Sequence, residues 1–241
     1  VVPVQAGRGS YRCGVLAARA RTFVLALAAG GVDAIGFLLL FGIFTAHLSG
    51  DTTRLAVDLG RGDLGSDALA RIVVLVTFVA GLVVGVAVVA VQDGRDDRGE
   101  RVLEGEIALL TAVMVVASIA RDDGALGRTA LLFYLLVAAL ALAMGLQNGF
   151  LRRAAGTGVH TTFVTGMLTA MAEDTVVAWR DPHDLDARRR IRIHGGIWVA
   201  YLVGGVVGAA LALAWTFWAL LVPIALLLVV RLAGQMDAPT P

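Results

Sequence analysis

The residues able to do chemistry in this chain are few, and most stand inside or beside apolar runs. Asp33 interrupts the hydrophobic stretch Thr22–His47 close to its midpoint. An ionisable side chain at the centre of a bilayer costs about 2.5–3.5 kcal/mol on insertion scales, so it is expected to face other helices and to have a partner. Its chemistry would be that of a proton or cation site, of a solute ligand, or of a structural carboxyl bonded to a neighbouring helix. Ser49-Gly50-Asp51 and Thr165-Gly166 each place a hydroxyl before a glycine, a pair that can cap a short helix where the chain bends. Such an end offers free N–H groups to an anion or a polar solute. Asp51 would repel an anion, which favours a cation or proton there. Gln147 and Asn148 close another apolar run, where amides line a cavity or bond between helices. Asp51, Arg54 and Asp58 share one helical face, expected to be solvated with a local ion pair unless Arg54 reaches inward to Asp33.

Other chemistries find little support. The single Cys13 excludes an internal disulfide and a cysteine metal site. His47 and His160 each precede a polar segment, without the spaced His/Asp/Glu set a metal ion needs, so no metal is expected; a proton relay stays open to either. No GxSxG, HExxH, P-loop or GxGxxG stands in a fitting context, so neither an enzyme nor a cofactor is expected. Nothing points to a nucleic-acid partner.

These residues are carried by a chain that is 58% hydrophobic, with a mean hydropathy of +0.82. A soluble domain of this size needs more polar surface, so the partner of the excess apolar surface is expected to be the lipid bilayer. Crossing about 30 Å of hydrocarbon takes about 20 helical residues. Thr22–His47, Ala70–Val91, Thr129–Phe150 and Gly195–Trp215 meet that length, and Glu106–Ala120 does so if Val102 and Leu103 extend it. The uncharged stretch Gly195–Val230 is too long for one crossing and is expected to turn at Trp215-Thr216-Phe217-Trp218, giving about six spans. All 20 basic residues are arginine. With the N-terminus inside, fifteen arginines fall on the cytoplasmic side, among them Arg188, Arg189, Arg190 and Arg192, and five (Arg54, Arg61, Arg71, Arg121 and Arg128) fall outside. That bias puts both termini in the cytoplasm.

Two segments fit neither span nor loop. TAHLSGDTTRLAVDLG (45–60) and VHTTFVTGMLTAMAEDTVVAW (159–179) are read as half-membrane or re-entrant elements, tolerated at depth only where protein or a wet cavity satisfies their backbone. They resemble each other: Thr45–Ala56 lies over Thr161–Ala172, Gly36-Phe37 over Gly149-Phe150, and FVAGLVVG (78–85) over YLVGGVVG (201–208). The predicted organisation is an N-terminal segment 1–21, a first repeat 22–120, a second repeat 129–232 and a tail 233–241. The fold class is an all-α membrane protein whose two three-helix repeats are inverted relative to each other, each with a broken half-helix. Gly81/Gly85 and Gly204/Gly208 are GxxxG pairs suited to close helix packing, within the chain or in a homodimer.

The motifs GGVDAIGF (30–37), FTAHLSGDTTRLA (44–56), GLQNGF (145–150) and HTTFVTGMLTAMA (160–172) resemble those of the bacterial multi-pass membrane family typified by YoaK, a family of unknown function often labelled as transporters. The resemblance runs from about Arg21 to Leu232 and implies an inner-membrane protein without an established substrate. Asp33, Gln147, Asn148, Thr165 and Gly166 match the family pattern. Ser49 stands for a threonine, and Asp51 stands where asparagine is usual, which adds a charge.

The expected function is a small secondary transporter of an unidentified polar solute or ion. Asp33, Ser49, Gly50, Asp51, Gln147, Asn148, Thr165 and Gly166 would line its cavity, with Asp33 coupling to a proton or cation. A passive channel and a non-transporting scaffold or sensor subunit are the alternatives. A dry interior with Asp33, Gln147 and Asn148 fully bonded to protein would favour the scaffold.

Overall fold

The computed structural model describes residues 7–90, 97–123, 126–127, 130–154 and 164–236, and the regular structure among them is helical. The helices are α1 (Gly7–Leu39), α2 (Leu48–Gly60), α3 (Ser66–Ala90), α4 (Asp97–Asp122), α5 (Leu131–Ala154), α6 (Val164–Arg180), α7 (Leu185–Trp215) and α8 (Leu221–Met236), with a 3₁₀ turn at Thr216–Leu220 between the last two. Five segments are long and apolar enough to cross a membrane: Ala20–Leu39, Ser66–Ala90, Glu100–Arg121, Leu131–Phe150 and Leu185–Gly234. The last holds 50 residues, about 75 Å of helix at 1.5 Å per residue, and so exceeds two membrane thicknesses. It is divided where the sequence places a turn, at Thr216, whose φ is +55°. The chain is a multi-pass, membrane-embedded helical protein.

Several boundaries differ from those read in the sequence. Thr22–His47 is not one span. The helix stops at Leu39, because Phe41 (φ +56°) and Gly42 (φ +79°) take the left-handed conformation and the Gly42 amide turns back to the Phe37 carbonyl at 2.9 Å. The bend thus precedes Ser49-Gly50, which lies within the first turn of α2. The run Glu106–Ala120, by contrast, is extended through Val102 and Leu103 to span length, as the sequence reading required, so Glu106 sits inside α4, which begins nine residues earlier at Asp97. Thr165-Gly166 lies in the first turn of α6. Residues 159–163, with His160 and Thr161, fall outside the described residues, as do 1–6 and 237–241.

Side-chain contacts fix the helix directions. The Arg21 guanidinium donates to the Ala233 carbonyl at 2.8 Å, and Arg231 pairs with Glu104, so the start of the α1 span, the start of α4 and the end of α8 share one face. On the opposite face the Tyr134 hydroxyl reaches the Ser66 carbonyl at 3.5 Å, joining the starts of α5 and α3. α2 follows α1 on this second face, while α6 lies along the start of α7 on the first. There Asp174 accepts from Arg190 Nε at 2.7 Å.

Glycine sets the closest packing. A Cβ on Gly204 would stand 1.9 Å from the Leu27 carbonyl oxygen, and one on Gly208 2.7 Å from Gly31 Cα, so α1 and α7 touch backbone to backbone. α3 and α5 do the same: a Cβ on Gly81 would stand 2.3 Å from the Leu142 oxygen and one on Gly149 2.9 Å from Gly85 Cα. Without a hydrophobic drive between helices in lipid, this close approach supplies the dispersion contact that holds them. Around these pairs Phe133, Leu140, Leu110, Phe217 and Leu227 fill the interior. Val76 and Val83 on α3 and Leu213 on α7 face outward toward lipid.

The packing predicts a sharp contrast between two glycines. Gly204→Ala forces α1 and α7 apart and should cost about 1–3 kcal/mol or more, lowering the midpoint of thermal unfolding in detergent followed by circular dichroism. Gly60→Ala, where a Cβ meets nothing within 4 Å, should leave it unchanged; equal midpoints for the two variants would contradict the backbone contact.

Candidate functional site

Asp33 is buried at 4% exposure, six residues before the end of α1. Both of its oxygens are occupied. Oδ1 accepts from the backbone amides of Thr45 at 2.8 Å and Ala46 at 2.9 Å, and from the Thr45 hydroxyl at 3.1 Å. Oδ2 accepts from the Tyr201 hydroxyl at 2.6 Å. The chain leaving α1 therefore folds back along the helix it came from, and Gly36 makes room for it: a Cβ there would stand 2.8 Å from Thr45 Cγ2. Tyr201 reaches Asp33 because α7 lies against Gly30 and Gly31. Asp33 is a joint between α1, the loop before α2 and α7.

Asp51 is different in kind. It faces inward from the first turn of α2, is fully buried, and neither carboxyl oxygen has a hydrogen-bond partner. The Phe44 amide faces the carboxyl without completing a bond of normal geometry. α2 is not among the membrane-spanning segments. Burial, more than the neighbouring Asp33, pushes the Asp51 carboxyl up from an ordinary 3.8 to about 7, against the pull of the Phe44 amide, Arg71 and Arg54. The expected ion pair within α2 is absent. Asp58 pairs with the buried Arg71 of α3, and Arg54 donates to the Gly42 carbonyl at 3.0 Å while lying over the rings of Phe37 and Phe44, 5.9 and 5.7 Å from their centroids. Arg54 thus bonds to the bend rather than to Asp33. Of the three carboxyls here, Asp33 is held by amides and hydroxyls and Asp58 by Arg71, and Asp51 is the acid left over.

The remaining candidates divide between two places. Ser49 is exposed, and Gly50 lets the His47 ring approach, since a Cβ there would stand 2.9 Å from His47 Cδ2. Gln147 is fully buried and donates to the Leu25 carbonyl at 2.9 Å, while its own oxygen has no partner. Asn148 donates to Met144 in its own helix at 2.8 Å. Thr165 and Gly166 open α6, where the Thr165 carbonyl takes the Thr169 hydroxyl at 3.0 Å. Asp33 and Asp51 stand together; Gln147 sits toward the other face, against a residue eight positions before Asp33.

Sequence reasoning missed four positions. Tyr201 reads as an ordinary aromatic in an apolar run, and only its hydroxyl gives it away. Arg71 reads as a topology marker. Asp174, buried at 8%, meets Arg190 and lies 4.0 Å from His194 Nδ1. Glu106, fully buried with both oxygens unpartnered, carries the same signal as Asp33, an acid inside an apolar helix. No group of three or more metal-ligating side chains occurs among the described residues.

Two measurements follow from this geometry. Asp33→Ala leaves four donors without an acceptor and should lower stability by about 3 kcal/mol or more, whereas Asp33→Asn, whose carbonyl can keep the two amides, should cost less. Similar losses for both would deny Asp33 its role as an acceptor. Asp51 binds its proton more tightly folded than unfolded, so its contribution is fully present below about pH 4 and is lost as pH rises through about 7. Thermal midpoints of the native protein should fall from pH 5 to pH 8, and Asp51→Asn should flatten that slope. A slope unchanged in the variant would mean that Asp51 does not titrate there.

The comparisons with known proteins add a family. No curated protein and no solved structure matches the chain. The profile of one family, described as protein of unknown function (DUF1275), matches residues 22–233. That stretch takes in the buried acids Asp33, Asp51, Glu106 and Asp174, both half-length helices and the five apolar segments except the first two residues of one and the last residue of another, and the chain belongs to the DUF1275 family of proteins of unknown function.

Proposed function

We propose that this protein is a small secondary transporter of a polar solute in the bacterial cytoplasmic membrane, coupled to protons through Asp51 and held in register by Asp33. The observation that carries the reading is the Asp51 carboxyl: fully buried, with no hydrogen bond of normal geometry to either oxygen, and next to a second acid. An unpartnered buried acid costs several kcal/mol and adds nothing to a static bundle. It has a use where a proton must be taken up in one state and released in another. Asp33, saturated with donors, has no free oxygen for a solute or ion and suits the part of a joint. The arginine bias supports a topology with both termini in the cytoplasm, α2 on the outer face and α6 on the inner. The motif resemblance to YoaK-like proteins agrees with this setting.

The architecture we infer is a pair of inverted repeats. Gly30 and Gly145, Leu27 and Leu142, and Gly31 and Leu146 are each 115 positions apart, and they meet Tyr201 and Phe78, Gly204 and Gly81, and Gly208 and Gly85, each 123 apart. α1 therefore rests on α7 as α5 rests on α3, in the opposite direction. The half-length helices follow suit: Asp58 meets Arg71 on one face and Asp174 approaches His194 on the other, at spacings of 116 and 123. Two-fold repeats of this kind, with broken elements reaching in from opposite sides, are the frame of many secondary transporters.

A second reading, a scaffold or sensor subunit, draws on the four bonds at Asp33, which are what a fixed joint needs. Reconstitution decides between them. In proteoliposomes with an internal pH dye, a panel of sugars, amino acids, nucleosides and organic cations should include a solute that drives proton flux. Asp51→Asn should cut that flux by at least an order of magnitude. Flux unchanged in the variant would remove Asp51 from coupling; no flux with any of the solutes would leave the scaffold.

A further inference from the structure

A second unpaired acid lies in the other half of the molecule. Glu106 belongs to the span Glu100–Arg121, six residues from its start and so about 9 Å in from the face that carries Arg21, Glu104 and Arg231. Its exposure is 0%, and neither carboxyl oxygen has a partner. Around it, Arg231 of α8 is committed to Glu104, and Glu100 and Arg101 sit nearer the face on the same helix. Among the described side chains, α5 and the 3₁₀ turn carry no charge, and those of α3 (Asp67 and Arg71) stand at its opposite end. Gly105 faces Leu146, the neighbour of Gln147, whose amide oxygen is also buried without a partner. A structural carboxyl of either charge state would be given a donor or an acceptor, since buried polar groups in settled interiors are almost always bonded. One carboxyl also offers too few oxygens to replace the hydration shell of a metal ion.

We propose that Glu106 is a second proton-binding site, serving the half of the membrane opposite Asp51. The proposal deepens the transporter reading and rests on it for its purpose, but not for its chemistry. In an alternating cycle Asp51 and Glu106 hold protons on opposite sides of the glycine-packed centre. Each lacks a partner in this conformation because its partner arrives in another.

Infrared difference spectroscopy of the protein in lipid tests the chemistry without any transport assay. The spectrum of the native protein minus that of Glu106→Gln at neutral pH should show the C=O band of a protonated carboxyl. The band should shift within minutes of transfer to D₂O and should persist when Asp51→Asn is used as background. Absence of the band would mean an ionised, paired Glu106 and would overturn the proposal, as would a band that does not shift, since a locked proton carries nothing. Glu106→Leu, which fills the site with an apolar side chain of similar size, keeps the test open if the amide variant misfolds. Where the native protein moves protons with a solute, Glu106→Gln should cut that flux at least tenfold; unchanged flux would also overturn the role. A native protein that moves nothing while the exchanging band remains would fault the transporter reading alone.

Discussion

Buried backbone outside a helix must find hydrogen bonds within the protein, because no water reaches it. Asp33 meets that requirement for the loop after α1. The amides of Thr45 and Ala46 have no helical acceptor of their own, and the carboxylate oxygen beneath them takes both, together with the Thr45 hydroxyl. Gly36 removes the side chain that would hold the loop off, and Tyr201 ties the same carboxyl to α7. Tyr201 comes within reach only because Gly30, Gly31, Gly204 and Gly208 let the two helices touch. A half-length helix on one face of the bundle, a glycine seam through its centre and a buried acid between them are thus one construction.

The position of Asp51 follows from that construction. α2 starts two residues after the anchored Ala46, so its first turn is held against α1 and its fourth residue points into the protein. Further along, Asp58 reaches the Arg71 guanidinium of α3, and Arg54 turns out over Phe37 and Phe44. Every charged group of α2 except Asp51 has a fixed partner. Burial without a partner is what raises its proton affinity toward neutral pH, whereas the bonded Asp33 serves geometry. Two acids close in sequence and space are divided by their environments into a fastener and a free group.

Much of this was legible in the residues. Uninterrupted apolar length marks the spans, aromatic residues at Trp215–Trp218 mark the last turn, and an acid in an apolar run marks Asp33 as buried. The glycine pairs announce close packing. Three things were not legible. Whether a helix ends at Leu39 or runs on to His47 depends on the left-handed turn at Phe41-Gly42, and Phe41 is not a residue type that signals one. Which of two nearby acids keeps a free oxygen depends on where the loop amides fall in space. Charge also misleads in both directions. Glu106 looks like the end of a span because charges commonly delimit spans, and Arg71 looks like a surface marker although it is buried at 7%.

On the inverted-repeat reading, the two halves are alike in frame and unlike in chemistry. The counterpart of Asp58 is Asp174 and that of Arg71 is His194, so each face keeps an acid held against a base. The counterpart of Asp51, 116 positions on, is Met167, a buried thioether that binds no proton. Strict symmetry would therefore leave the inner half without a free acid. Glu106 supplies one from a different helix, at a depth like that of Asp33 on its own side. Two uncompensated carboxyls cost a bundle several kcal/mol, and either could be replaced by leucine or methionine with a gain in stability. That the chain keeps one in each half, reached by unrelated routes, is the physical reason to read them as working groups.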